Sequence, residues 1–186
     1  MARIPPIPKD AMTPEQIRVN EKIAGPRYSG PARGPFAVWL RTPEFAEIAS
    51  DFGLHLRTKT TLPRRLLELT VLITARQWTA QYEWAAHESF AREAGLEAQV
   101  IEDLRAGRPP RFTAPDEALV YDVAMEIQER KGLCDDSYRR ATDLLGEQTV
   151  IDLLTVIGYY TLLAVVLTGL DVDPPDGGRP LPPLAE

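Results

Sequence analysis

Thiols are scarce in this chain: Cys134 is the only cysteine among 186 residues. One cysteine excludes an intrachain disulfide and any dithiol redox couple. It also suits a reducing cytoplasm, the expected location. Histidine is almost as rare, with His55 and His87 alone, so imidazole chemistry has two candidates. Concentrated basic charge is missing too. Twenty-one Lys and Arg against 27 Asp and Glu leave a net charge of −6, and Arg64-Arg65 and Arg139-Arg140 are no more than pairs at solvated helix ends. Nucleic acids and anionic membranes need a basic face, so neither is expected as a partner. No apolar segment follows Met1-Ala2-Arg3-Ile4-Pro5-Pro6, and no secretory signal is expected. The stretch from Leu153 to Leu170 reaches only the lower bound of a membrane span, with Asp152 at its mouth and no Lys or Arg at either end. A helix buried in the core or in a subunit interface is the expected reading.

Proline is abundant, but it is missing from two long tracts. All 17 prolines lie at or before Pro115 or from Pro174 onward, with none between Pro63 and Pro109. An interior proline costs a helix roughly 3 kcal/mol, so these tracts can hold long helices. Strict apolar alternation is rare, which removes the main strand signal. The expected fold is all-α, a single-domain helical bundle over 13–173 between a proline-rich N-terminal arm (1–12) and a proline-rich C-terminal tail (174–186), the tail extended against a neighbour or disordered. Thr13-Pro14-Glu15-Gln16 reads as a capped helix start, and Thr42-Pro43-Glu44 repeats it ahead of Phe45, Ile48, Ala49, Phe52 and Leu56. Pro63 opens the next helix. Gly95 should close the one carrying His87. A short helix follows over about 97–105, and another runs from Pro115 to about Lys131, closed by Gly132. Asp135 or Asp136 is the expected cap of a helix to Leu145. Gly146 then precedes an apolar helix to about Leu170.

Against this background, three titratable residues stand out. Glu68 lies in the run Leu66-Leu67-Glu68-Leu69, which continues through Val71, Leu72 and Ile73 and is apolar on almost every side. Such a helix is normally buried, and a buried carboxylate needs a partner. Further on, Tyr82-Glu83-Trp84-Ala85-Ala86-His87 places Glu83 and His87 one helical turn apart on one side, which Phe90, Ala91 and Ala94 extend. Gln81, Glu88 and Arg92 mark the opposite side. An inward-facing carboxylate–imidazole group suits proton transfer near neutral pH. On one straight helix Glu68 and His87 would be about 28 Å apart, so their cooperation requires a chain reversal near Arg76–Ala80. No glycine or proline marks that reversal, and Thr79 is a moderate N-cap.

At this interval the sequence resembles the carboxymuconolactone decarboxylase family, within the wider alkylhydroperoxidase D-like superfold. The peroxidase branch of that superfold carries a Glu, a Cys-x-x-Cys pair and a His. Glu68 and His87 keep the first and last places at the same separation, while the cysteine places hold Ala80 and Glu83. The Tyr82-Glu83-Trp84-x-x-His87 string, Ala94-Gly95-Leu96 and Gly158-Tyr159-Tyr160 resemble the decarboxylase-type branch, over roughly residues 36–173. Without the cysteines, thiol-based peroxide reduction is excluded. The resemblance implies a homotrimer or homohexamer with sites near subunit contacts. It also implies cofactor-independent acid/base chemistry on a small organic acid or lactone. In that chemistry His87 would transfer the proton, Glu83 would orient its ring, and Glu68 would be a second acid/base group or hydrogen-bond partner. Tyr82 and Trp84 are candidate substrate contacts, of which only one can face the site directly. Arg41, Arg64, Arg65 and Arg76 are candidates for holding a substrate carboxylate. Two other readings stay open: a non-catalytic oligomer binding a small apolar ligand, and a metal site made of Glu68, Glu83 and His87.

Overall fold

The two proline-free tracts fold as helices almost throughout. The computed structural model describes residues 2–25, 31–175 and 179–184. Among these, nine α-helices follow in order: α1 (Pro14–Ala24), α2 (Pro35–Trp39), α3 (Pro43–Lys59), α4 (Arg64–Gln77), α5 (Gln81–Glu93), α6 (Ala98–Arg105), α7 (Pro115–Arg130), α8 (Asp135–Leu145) and α9 (Glu147–Gly169). No strand occurs among the described residues. Proline stands first in α1, α2, α3 and α7, where its missing N–H has no intrahelical partner to lose.

Local chemistry explains most helix ends. At α1, the Gln16 N–H donates to the Thr13 hydroxyl at 3.3 Å and the Thr13 N–H donates to Gln16 Oε1 at 2.9 Å, a reciprocal capping box. Three sequence expectations need adjustment. Thr42 gives its hydroxyl to Trp39 O (3.2 Å) instead of capping α3. The Cys134 thiol, not Asp135 or Asp136, accepts the capping bond of α8, from Ser137 N at 3.5 Å. Lys131 takes the left-handed conformation (φ 61°) that closes α7, one residue before Gly132.

The core is organised around α4, in which every residue from Leu66 to Arg76 is buried. It packs against α5, α7 and α9, as a helix apolar on almost every side must. Each fully buried Leu, Ile or Val contributes roughly 1.5–3 kcal/mol through area removed from water. The helix α9 is long and apolar enough to cross a bilayer, but half of its apolar window is buried within the protein. Leu153, Val156, Tyr160, Ala164 and Leu167 face the core at three- and four-residue spacing. It serves here as a core helix.

The reversal between α4 and α5 occupies only Trp78, Thr79 and Ala80. Ala80 N–H donates to Ala75 O (2.8 Å) and Thr79 N–H to Arg76 O (3.0 Å), the paired bonds of a Schellman motif. The left-handed position, usually glycine, is held by Thr79 at φ 48°. The same motif ends α5 at Gly95 (φ 90°). Because a left-handed L-residue costs ~1–2 kcal/mol and glycine returns only part of that as chain entropy, Thr79→Gly should stabilise the protein by ~0.5–1 kcal/mol. Thermal unfolding should show a rise of about 1–4 °C; a lower Tm would mean that the Thr79 side chain does more than occupy a strained turn.

Both chain arms are tied to the bundle. Arg3 donates from its backbone N to Leu170 O and from Nη1 to Gly169 O, each at 2.9 Å, supplying donors and a cation to the carbonyl end of α9. The described part of the tail, 179–184, lies across the protein's own helices, not extended away from them. Arg105 donates to Arg179 O and Pro180 O (both 2.7 Å), Arg76 to Pro183 O (3.3 Å), and Gln81 exchanges two bonds with Leu181. Nothing in the tail's composition signals this, because the partners are buried polar side chains of distant helices.

Candidate active site

Glu68 points from the middle of α4 and His87 from the second turn of α5. Folding back at Thr79 brings Glu68 Oε2 to 2.8 Å from His87 Nδ1. The carboxylate is buried and the imidazole side chain is only 14% exposed. An ionised carboxylate can only accept, so in a neutral imidazole this contact selects the tautomer with the proton on Nδ1 and the lone pair on Nε2. Nε2 makes no hydrogen bond among the described residues. The ring is held edge-on by Tyr160 (centroids 5.2 Å apart) and Phe90 (5.8 Å).

Glu83 behaves differently from its expected role. It does not orient the imidazole, since Glu68 already holds Nδ1, and neither Glu83 oxygen has a hydrogen-bond partner. Burial alone pushes its carboxyl well above the ordinary range, although the first turn of a helix would favour the anion. The low dielectric wins because no cation or donor compensates it. Burial therefore favours the protonated form of Glu83, beside the Glu68 carboxyl that His87 partners.

A cavity of about 590 Å³ opens onto these groups. Glu68, Glu83 and His87 all line it, and so does Tyr82. Trp84 does not. It is fully buried on the other side of α5, donating from Nε1 to Glu88 Oε2 at 2.9 Å, with the Arg105 guanidinium 5.7 Å from its ring. Consecutive helix positions two apart diverge too far for both to face one cavity.

Of the four arginines named from sequence, only Arg64 reaches the cavity. Arg41 donates to Pro5 O, Arg65 pairs with Asp116 and Glu117, and Arg76 lies beneath the tail. The cavity instead takes Arg33 and Arg57, with Tyr159 and Tyr160 from α9. No periodicity in the sequence distinguishes Arg57 from other cations near a helix end, or the two tyrosines from other residues of an apolar helix. His55 is exposed on α3, away from the cavity. The described residues contain no cluster of three His, Cys, Asp or Glu able to hold a metal ion, so the Glu68, Glu83 and His87 metal reading has no geometric support.

No family model and no curated protein matches the chain. Solved structures do. An uncharacterised peroxidase-related protein from Ralstonia eutropha JMP134, with an alkylhydroperoxidase AhpD core, superposes with a TM-score of 0.77 at 14% identity, over 94% of this chain and 93% of that one. The chain has the alkylhydroperoxidase D-like fold. The apo debrominase Bmp8 shares this architecture (TM-score 0.71, 12% identity, 92% and 91% coverage). So does a peroxidase-related protein from Silicibacter sp. TM1040 (0.69, 14%, 95% and 90%). In this chain the sole thiol, Cys134, is exposed at the start of α8 and does not line the cavity. The cavity has no sulfur nucleophile, and a carboxyl, Glu83, stands at one of the two cysteine places of the peroxidase pattern.

Proposed function

We propose that the chain is an enzyme of the alkylhydroperoxidase D-like superfold that works without a thiol, by proton transfer on a small organic acid or lactone bound beside His87. The observation that carries this reading is the 2.8 Å Glu68–His87 contact on the wall of a largely apolar cavity. Glu68 fixes the ring so that Nε2 can take a proton, and the neutral Glu83 carboxyl can supply one. A fold that also carries a debrominase is not tied to peroxide chemistry.

Decarboxylation is the finer form of this proposal. The carbon–carbon bond to the departing carboxylate breaks, carbon dioxide leaves, and the electron pair passes into a conjugated carbonyl or lactone as an enolate. Protonation at carbon then completes the reaction. The protein stabilises the enolate and returns the proton, so no external oxidant or reductant is required. Self-association into a homo-oligomer belongs to the same proposal. Its support is the outward row of α9, where Ile151, Leu162 and Val165 remain exposed.

The ring nitrogens provide the first test. With ¹⁵N-labelled histidine, His87 in the neutral protein should show the Nδ1–H tautomer. In Glu68→Leu that preference should disappear, while the exposed His55 stays unchanged as the reference. A wild-type His87 protonated on Nε2 would remove the proposed base. Unsaturated lactones and keto acids screened for carbon dioxide release, or for deuterium uptake at carbon, then test the activity itself.

A further inference from the structure

Among the described residues, Arg57 on the cavity wall has no ion-pair partner. Among the described residues, six buried side-chain atoms lack a hydrogen-bond partner, and four of them belong to cavity residues: Arg57 Nη2, Tyr160 Oη and both oxygens of Glu83. The other two are single Nε atoms of Arg76 and Arg105, whose terminal nitrogens donate to tail carbonyls, the Thr79 hydroxyl and Glu88. Unpartnered buried donors are costly, and they concentrate where a ligand completes them. Arg57 makes no ion pair among the described residues. Glu68 is taken by His87, and Glu83 is kept neutral by burial with no cation acting on it. The phenol of Tyr160 is likewise held in its protonated form by burial; the Arg57 guanidinium beside it acts in the opposite direction, by its charge and by an approach to the phenol oxygen too loose for a well-formed hydrogen bond.

The packing of α3 against α9 sets this pair in place. A Cβ at Gly53 would stand 2.3 Å from Tyr159 Oη and 3.2 Å from Arg57 Nη1. The bare glycine lets Tyr159 reach Ala49 O (2.8 Å) and leaves the Arg57 fork on the cavity wall. Close approach of this kind is a common reason for glycine inside a helix.

We infer that Arg57 and Tyr160 form the carboxylate clamp of this cavity, holding a retained anionic group of an otherwise apolar substrate whose reacting carbon faces His87. A carboxylate is the group that suits these donors. It only accepts, it matches the guanidinium fork, and it brings the missing negative charge. A neutral carbonyl could accept one bond but would leave the cation unbalanced. The rest of the lining, including Phe36, Leu67, Leu163 and Leu167, is apolar, which fits a hydrocarbon or unsaturated body. The clamped group is an anchor and not the one that departs, because an ion pair stabilises a carboxylate in the ground state and loss of carbon dioxide would forfeit it.

This inference rests on reading the cavity as the active site, but its test is independent of turnover. Butyrate, crotonate, benzoate and phenylacetate are each compared with the corresponding primary amide by calorimetric titration of the full chain. At least one acid should bind tenfold or more tightly than its amide. Arg57→Met should weaken that acid at least tenfold and Tyr160→Phe about threefold, with Arg57→Lys intermediate because it keeps the charge and loses the fork. His87→Gln should leave the affinity within twofold, so a failure of the acid/base reading would leave this result standing. Circular dichroism checks each variant, and if Arg57→Met does not fold, Arg57→Lys and Tyr160→Phe decide. Equal binding of acid and amide, binding that survives loss of the fork and the phenol, dependence on His87 instead, or no acid bound at all would each overturn the clamp.

Discussion

Glu83→Gln is expected to lose less stability than the wild-type protein as pH rises from 5 to 8. Burial raises the Glu83 pKa from the ordinary value of 4.5, so the folded state retains a proton that the unfolded chain releases. Between those two pKa values the unfolded state binds fewer protons, and stability falls with rising pH by about 1.4 kcal/mol per unit. The contribution is fully present below the unfolded value of 4.5 and is lost as pH climbs toward the folded pKa. Glutamine cannot ionise, so that slope disappears in the variant. The amide leaves buried polar atoms of its own and costs about 1–3 kcal/mol, but the cost is the same at every pH. Urea unfolding at pH 5, 6, 7 and 8 separates the two effects. Parallel stability curves would show that Glu83 is already ionised in the folded protein, and the neutral proton donor would be lost from the mechanism.

For any substrate found by the screen, His87→Gln should lower kcat/KM by about 10²–10⁴-fold, the usual worth of a positioned general acid or base. Cys134→Ser should leave it unchanged, because the thiol is exposed and does not line the cavity. Steady-state kinetics on the two variants therefore distinguish proton transfer from thiol chemistry. A large loss in Cys134→Ser would contradict the sulfur-free site. An unchanged rate in His87→Gln, with ligand binding intact, would favour a protein that binds small molecules without transforming them.

Much of the architecture was legible because it depends on local chemistry. Proline positions marked helix starts, Gly95 and Gly146 marked ends, and the Leu66–Ile73 run, apolar on almost every side, marked the central helix. The reversal at Thr79 was not legible from the residues themselves. A β-branched residue seldom adopts φ 48°, and only the resemblance gave a reason to expect a break there. Placement of Glu83 and His87 on one face of α5 followed from helical periodicity, but their relationship did not. Periodicity makes them neighbours, yet the imidazole is bonded to a carboxylate 19 residues earlier in the chain.

The sequence by itself determined the helices, the absence of dithiol chemistry and the presence of an ionisable group in each of two buried helices. These follow from side-chain type, spacing and the cost of burying charge, all of which act within a few residues. Tertiary structure alone decided which carboxyl is paired and which is neutral, which arginine reaches the cavity, that Trp84 turns away from it, and where the tail lies. Those outcomes depend on distances between residues far apart in the chain, and desolvation and hydrogen bonding change steeply over a few ångströms.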